Sequence, residues 1–146
     1  MNLDKEYINE QTKERLKKYN DLNFFSKFSM YMGLAQILEF GLKKLLEKNF
    51  EYSLNKMERC TLGQVKDELI KNNLRADFIL LLESIVKDRN YIAHSMLLDS
   101  AILKSLINYP LTNMQYLKEE RQLDKAIYEL EQLIFLFDWT NENNGW

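Results

Sequence analysis

The residues Arg89-Asn90-Tyr91-Ile92-Ala93-His94 bring a permanent cation, a short amide and an imidazole together within one short stretch. His94 is the only histidine of the chain. Any imidazole acid/base chemistry, including a triad of the Ser-His-Asp or Cys-His kind, must therefore use it, because no other side chain has an ordinary pKa close to neutrality. Arg89 continues an apolar stripe formed by Phe78, Leu82 and Ile85. A cation on such a stripe is expected to be paired or to line a cleft. Five residues of unbroken α-helix correspond to about 140° of rotation, which would aim Arg89 and His94 at different faces. For both to serve one cleft the helix must kink or restart near Asn90, a residue suited to capping a new turn. The alternative is purely structural: Asn90 caps, Arg89 pairs with a carboxylate and His94 is a satisfied core histidine.

The elements around this stretch read as helices. Asp4 to Tyr19 is mostly charged with a thin apolar line of Ile8, Leu16 and Tyr19, a peripheral helix. Asp21 is placed to cap a long second helix with Phe24, Phe28, Tyr31, Ala35, Leu38, Leu42 and Leu45 at steps of three and four. A second line of Phe25, Met32, Leu34, Ile37 and Phe40 predicts that this helix is contacted on several sides, with Gly33 and Ala35 admitting a close neighbour. Thr61 and Gln64 form a capping box, with Cys60 and Val65 as its hydrophobic staple, for a short helix ending near Asn72 or Asn73. Phe78, Leu81, Leu82, Ile85 and Val86 mark a helix ending near Arg89 or Asn90. One or two short helices are expected between Tyr91 and Pro110, with Asp99 and Ser100 as an internal cap. A last helix runs from about Thr112 to Thr140 along Leu123, Ile127, Leu130, Ile134 and Phe137, on a face wide enough for two partners, one of them a second copy of the chain.

Composition agrees with this reading. Four glycines and one proline in 146 residues leave few turn makers for a many-stranded β architecture. The expected fold is all-α, a single domain of about five to six helices over residues 1–146, with 141–146 a frayed tail. A net charge of −2 provides no overall field for a phosphate backbone, so any nucleic-acid contact requires a local patch. The lone Cys60 excludes an internal disulfide and fits a reducing compartment; with no apolar signal-type segment or membrane-length run, the cytoplasm is the expected location.

The stretch "RNYIAH" resembles the Arg-polar-x3-His signature of the HEPN superfamily, small helical bundles that carry this motif on a helix and its following turn. The specific match covers residues 89 to 94. The resemblance implies metal-independent RNA cleavage in which a 2′-hydroxyl attacks the adjacent phosphate. It also implies a homodimer in which two motifs face each other, because one chain supplies a single histidine and the reaction needs a base, an acid and a cation. Carried over by position, His94 is the acid/base group, Arg89 holds the scissile phosphate and Asn90 orients the pair or the phosphate. HEPN toxins of toxin–antitoxin pairs often place a tyrosine two residues after the histidine; here that residue is Met96. A toxin or antiviral role with an antitoxin-like protein partner follows from the same resemblance.

Tyr91 and Tyr109 flank the motif and are candidate platforms for an RNA base or a nucleotide, or else core aromatics. HExxH, CxxC, Walker A, GxGxxG and GxSxG are absent from the sequence, so neither a cofactor nor a metal is expected. Glu47 with Glu51, and Glu129 with Glu131, have close spacings but read as solvated helix faces. Lys13, Arg15, Lys17 and Lys18 read likewise, balanced by Glu6, Glu10 and Glu14. The competing functional reading is a non-catalytic helical interaction module that binds a protein partner or nucleotide through the same cleft.

Overall fold

The computed structural model describes residues 3–96 and 113–146. The short helices expected before Pro110 fall, past Met96, outside these residues, as does Tyr109. Among the described residues the fold is all-α, a bundle of five α-helices without strands. They are α1 (Lys5–Leu16), α2 (Phe24–Phe50), α3 (Leu62–Lys71), α4 (Ala76–Tyr91) and α5 (Asn113–Glu142).

Side-chain caps set three of the starts. Asp4 accepts from the Tyr7 amide and begins α1. Asn23, not the expected Asp21, begins α2 by accepting from the Ser26 amide at 2.8 Å. The reason is a 3-10 turn over Lys17–Tyr19 followed by a bond from the Leu22 amide to the Tyr19 carbonyl, which leaves Asn23 as the first extended residue. The capping box forms as read, with Thr61 and Gln64 each accepting from the other's backbone amide. Asn72 ends α3, and Asn73 takes the left-handed φ of 56° that lets the chain reverse into α4.

The core is built where α2, α4 and α5 meet. Leu42 and Leu46 of α2, Leu82 and Ile85 of α4, and Leu123, Leu130 and Leu133 of α5 are fully excluded from water. Along α5 the buried line follows the expected Leu123, Ile127 and Leu130, then shifts to Leu133, leaving Ile134 and Phe137 only half-buried. The wide face of α5 is thus covered within the chain, by α1 as well as by α2 and α4. Polar groups hold α1 there in addition to apolar ones: Arg15 pairs with Asp138 at 2.8 Å, and the Tyr128 hydroxyl donates to Asn9 at 3.0 Å. The chain end, expected to fray, is docked: Trp146 packs edge-on against Phe78, with ring centroids 5.1 Å apart, and lies against Phe137. An aromatic side chain so close to an apolar helix end gains more by burial than its tether loses in entropy.

Two expectations for α2 are corrected. Of the outer line, Met32 and Leu34 pack against the core, but Phe25, Ile37 and Phe40 are more than half exposed, so this side of the helix is contacted only in part by the described elements. Close approach occurs at Gly41, where an added methyl would stand 3.3 Å from the Phe137 ring, whereas one at Gly33 would meet nothing among the described residues. Gly33→Ala is therefore expected to stabilise the fold by about 0.5–1 kcal/mol, read as a higher urea midpoint, because alanine removes the entropic cost of a mid-helix glycine at no steric cost. A lowered midpoint would show that this face is filled.

Candidate functional site

α4 does not restart at Asn90. It continues through Tyr91 and then widens into a π-helical turn over Ile92–Met96. At the changeover the Ile92 amide is shared between the carbonyls of Asp88 and Arg89. Asn90 does not cap the following turn; its Oδ1 accepts from Arg89 Nη1 at 3.4 Å. Within the widened turn Ile92 and Met96 are both fully buried, while His94 between them is exposed. Because a π turn rotates less per residue than an α turn, the offset between Arg89 and His94 narrows below that of a straight α-helix. Segments of this kind recur at functional sites.

His94 and Asn90 are exposed and Arg89 is half-buried, so His94 is not a core histidine. Among the described residues no ion pair engages Arg89, and no hydrogen bond joins it to His94. Arg89 and Asn90 are in contact, and His94 follows on the same continuous helix. Tyr91 is the last α-helical residue before the change, half-buried and engaged with a neighbour. The two described grooves, about 740 and 520 Å³, lie at the other end of α4 around Leu80, away from the motif.

Beneath the motif lies a polar cluster that the sequence reading missed. Ser84 Oγ donates to Glu129 Oε2 at 2.6 Å, and Lys125 Nζ stands 3.4 Å from Oε1 of the same carboxylate. Asp88, one turn beyond Ser84, brings its carboxyl to Glu129, and its buried Oδ2 has no donor among the described residues. Tyr31, completely buried, ends in a hydroxyl without a partner among the same residues, with Asp88, Glu129 and Arg89 as its charged neighbours. Burial, reinforced by the two carboxylates, pushes the Tyr31 hydroxyl far above its ordinary pKa, so it stays a donor. The usable signal was the i, i+4 spacing of Ser84 and Asp88 next to Arg89.

Glu129 and Glu131 are not a solvated face. Glu129 is turned to Ser84, while Glu131 is fully buried on the opposite side of α5, bonded by the Tyr19 hydroxyl at 2.5 Å and Lys18 Nζ at 2.6 Å. That arrangement also consumes part of the basic cluster of α1: Lys18 is on Glu131, Arg15 on Asp138 and Lys17 on Glu14. Glu47 pairs with Lys44 at the surface. Among the described residues no three His, Cys, Asp or Glu side chains converge as a metal site, and no helix is long and apolar enough to cross a membrane. No family model, curated protein or solved structure is detectably similar to the chain, so its function has to be argued from the residues themselves.

Proposed function

We propose that the chain is a HEPN-like, metal-independent endoribonuclease that works as a homodimer, in the role of a toxin or antiviral effector. The observation that carries the reading is the placement of Arg89, Asn90 and an exposed His94 on one α-to-π helix end. In this reading the planar fork of Arg89 grips the scissile phosphate, Asn90 orients that fork through its carbonyl, and His94 moves the proton. The substrate 2′-oxygen attacks phosphorus, the 5′-oxygen leaves, and the product carries a 2′,3′-cyclic phosphate. Removing the 2′-proton and protonating the 5′-oxygen are two jobs, and the second chain's copy of the motif supplies the second imidazole.

The test is incubation of purified protein with single-stranded RNA in EDTA. The expected result is fragments with cyclic phosphate and 5′-hydroxyl ends, lost in both His94→Ala and Arg89→Ala. Cleavage that requires added metal, or that survives both substitutions, contradicts the mechanism.

The exposed Phe25, Ile37 and Phe40 favour one second reading, a non-catalytic module that docks a protein partner on α2. Intact RNA, together with a stable complex that is lost in Phe40→Ser, would select it.

A further inference from the structure

Asp88 and Glu129 meet at the contact between α4 and α5 under conditions poor for two negative charges. The groups facing them are Tyr31 from α2, Ser84 and Arg89 from α4, and Lys125 from α5. Among the described residues only Lys125 stands at ion-pair distance, 3.4 Å from Glu129, and its side chain is mostly in water. The hydroxyl of Ser84 satisfies one oxygen of Glu129. Nothing among the described residues donates to Asp88 Oδ2, although that oxygen is buried. Buried acceptors of this kind are rarely left without a proton donor. The simplest donor is a proton on the pair itself: two carboxylates side by side repel, whereas an acid and a carboxylate form a strong charge-assisted bond.

We propose that the Asp88 carboxyl shares one proton with Glu129 across the contact between α4 and α5, and that this proton fastens the end of α4 carrying Arg89 and the π turn. Burial, and next the charge of Glu129, push the Asp88 carboxyl upward, while Lys125 pulls the other way. The sign follows. A carboxyl whose pKa is higher folded than unfolded binds its proton preferentially in the folded state, so the stability it contributes falls as pH rises through the folded pKa. Protonated, the pair ties Asp88 to α5. Ionised, it forces apart the helix end immediately before Arg89. The device makes the motif segment pH-sensitive whether or not the chain cleaves RNA, so failure of the ribonuclease reading leaves it standing.

Asp88→Asn tests the inference, because the amide supplies a permanent donor without a charge. The melting temperature of the variant minus that of wild type is expected to grow as pH rises from below the ordinary aspartate value of about 3.9, reaching about 4 °C at about pH 8. At the higher pH the amides of residues 89–96 should exchange more slowly in the variant than in wild type. A difference that stays flat with pH, or a variant less stable than wild type at the higher pH, overturns the proposal. Should the variant fail to fold, carboxyl-carbon NMR of wild type decides. An Asp88 carboxyl titrating clearly above about 3.9 and falling back in Glu129→Gln is expected; Asp88 titrating at or below that value overturns the proposal. Stabilisation of wild type, but not of Asp88→Asn, by added Mg2+ at the higher pH would make the occupant a cation and overturn it too.

Discussion

His94→Ala is expected to lower RNA cleavage by about 10²- to 10⁴-fold, the usual contribution of a positioned general acid or base. Its melting temperature should stay within about 2 °C of wild type, because the imidazole is exposed and makes none of the described hydrogen bonds. The two readouts together separate the chemical role from the structural one. A stability loss without loss of any activity would return His94 to the scaffold. Arg89→Lys refines the same experiment: it keeps the charge but removes the planar fork, so it should lose most of the rate that Arg89→Ala loses.

The second large effect concerns the scaffold. Tyr19→Phe is expected to lower unfolding free energy by about 1.5–3 kcal/mol, the usual value of a hydrogen bond to a charged group. The hydroxyl bonds the fully buried Glu131 at 2.5 Å, and without it Lys18 alone remains on that carboxylate among the described residues. The other oxygen, Oε2, has no partner among the described residues. Burial and the adjacent carboxylate hold the Tyr19 hydroxyl protonated, so this donor is present across the physiological range. Adding Glu131→Gln to Tyr19→Phe removes the charge that would be stranded, and should recover part of the loss in urea unfolding. A Tyr19→Phe midpoint equal to that of wild type would show that α1 is not tied to α5 through this pair.

Local signals in the sequence were legible where one element decides the outcome. Thr61 and Gln64 announce their capping box because both partners lie on one turn. The stripe of Phe78, Leu82 and Ile85 is buried as read, whereas Arg89, expected to be paired or to line a cleft, is half-buried with no ion pair among the described residues. What required two elements was not legible. Asp21 and Asn23 are equally able caps, and the choice between them rests on the preceding 3-10 turn. Glu129 and Glu131 look solvated in a Glu-rich helix, yet α4 covers one and the 3-10 turn after α1 the other. The burial of Ile92 and Met96 at i, i+4 spacing suits an ordinary α-helix as well, so that spacing does not announce the π turn. The opposite error occurred on α2, where the apolar line of Phe25, Met32, Leu34, Ile37 and Phe40 predicted contacts that Met32 and Leu34 make but Phe25, Ile37 and Phe40, more than half exposed, do not.

The same limit applies to the motif. Its residue types were readable, and so was the need for a departure from straight α-helix, but not the form that departure takes. Of the acid pair next to it, only the α4 half left a trace, the i, i+4 spacing of Ser84 and Asp88, since Glu129 is brought to Asp88 by the packing of α4 on α5. That placement gives the motif a buried, titratable support on one side and an exposed imidazole on the other.

The claim that two motifs make one site is tested most directly by mixing. Wild-type protein is unfolded and refolded with increasing fractions of His94→Ala, and metal-free RNA cleavage is followed at constant total protein. If each site needs both histidines, mixed dimers are inactive and the rate follows the square of the wild-type fraction, falling to about a quarter at equal mixing. A rate that falls in simple proportion to the wild-type fraction, or RNA left intact by the unmixed wild type, would contradict it.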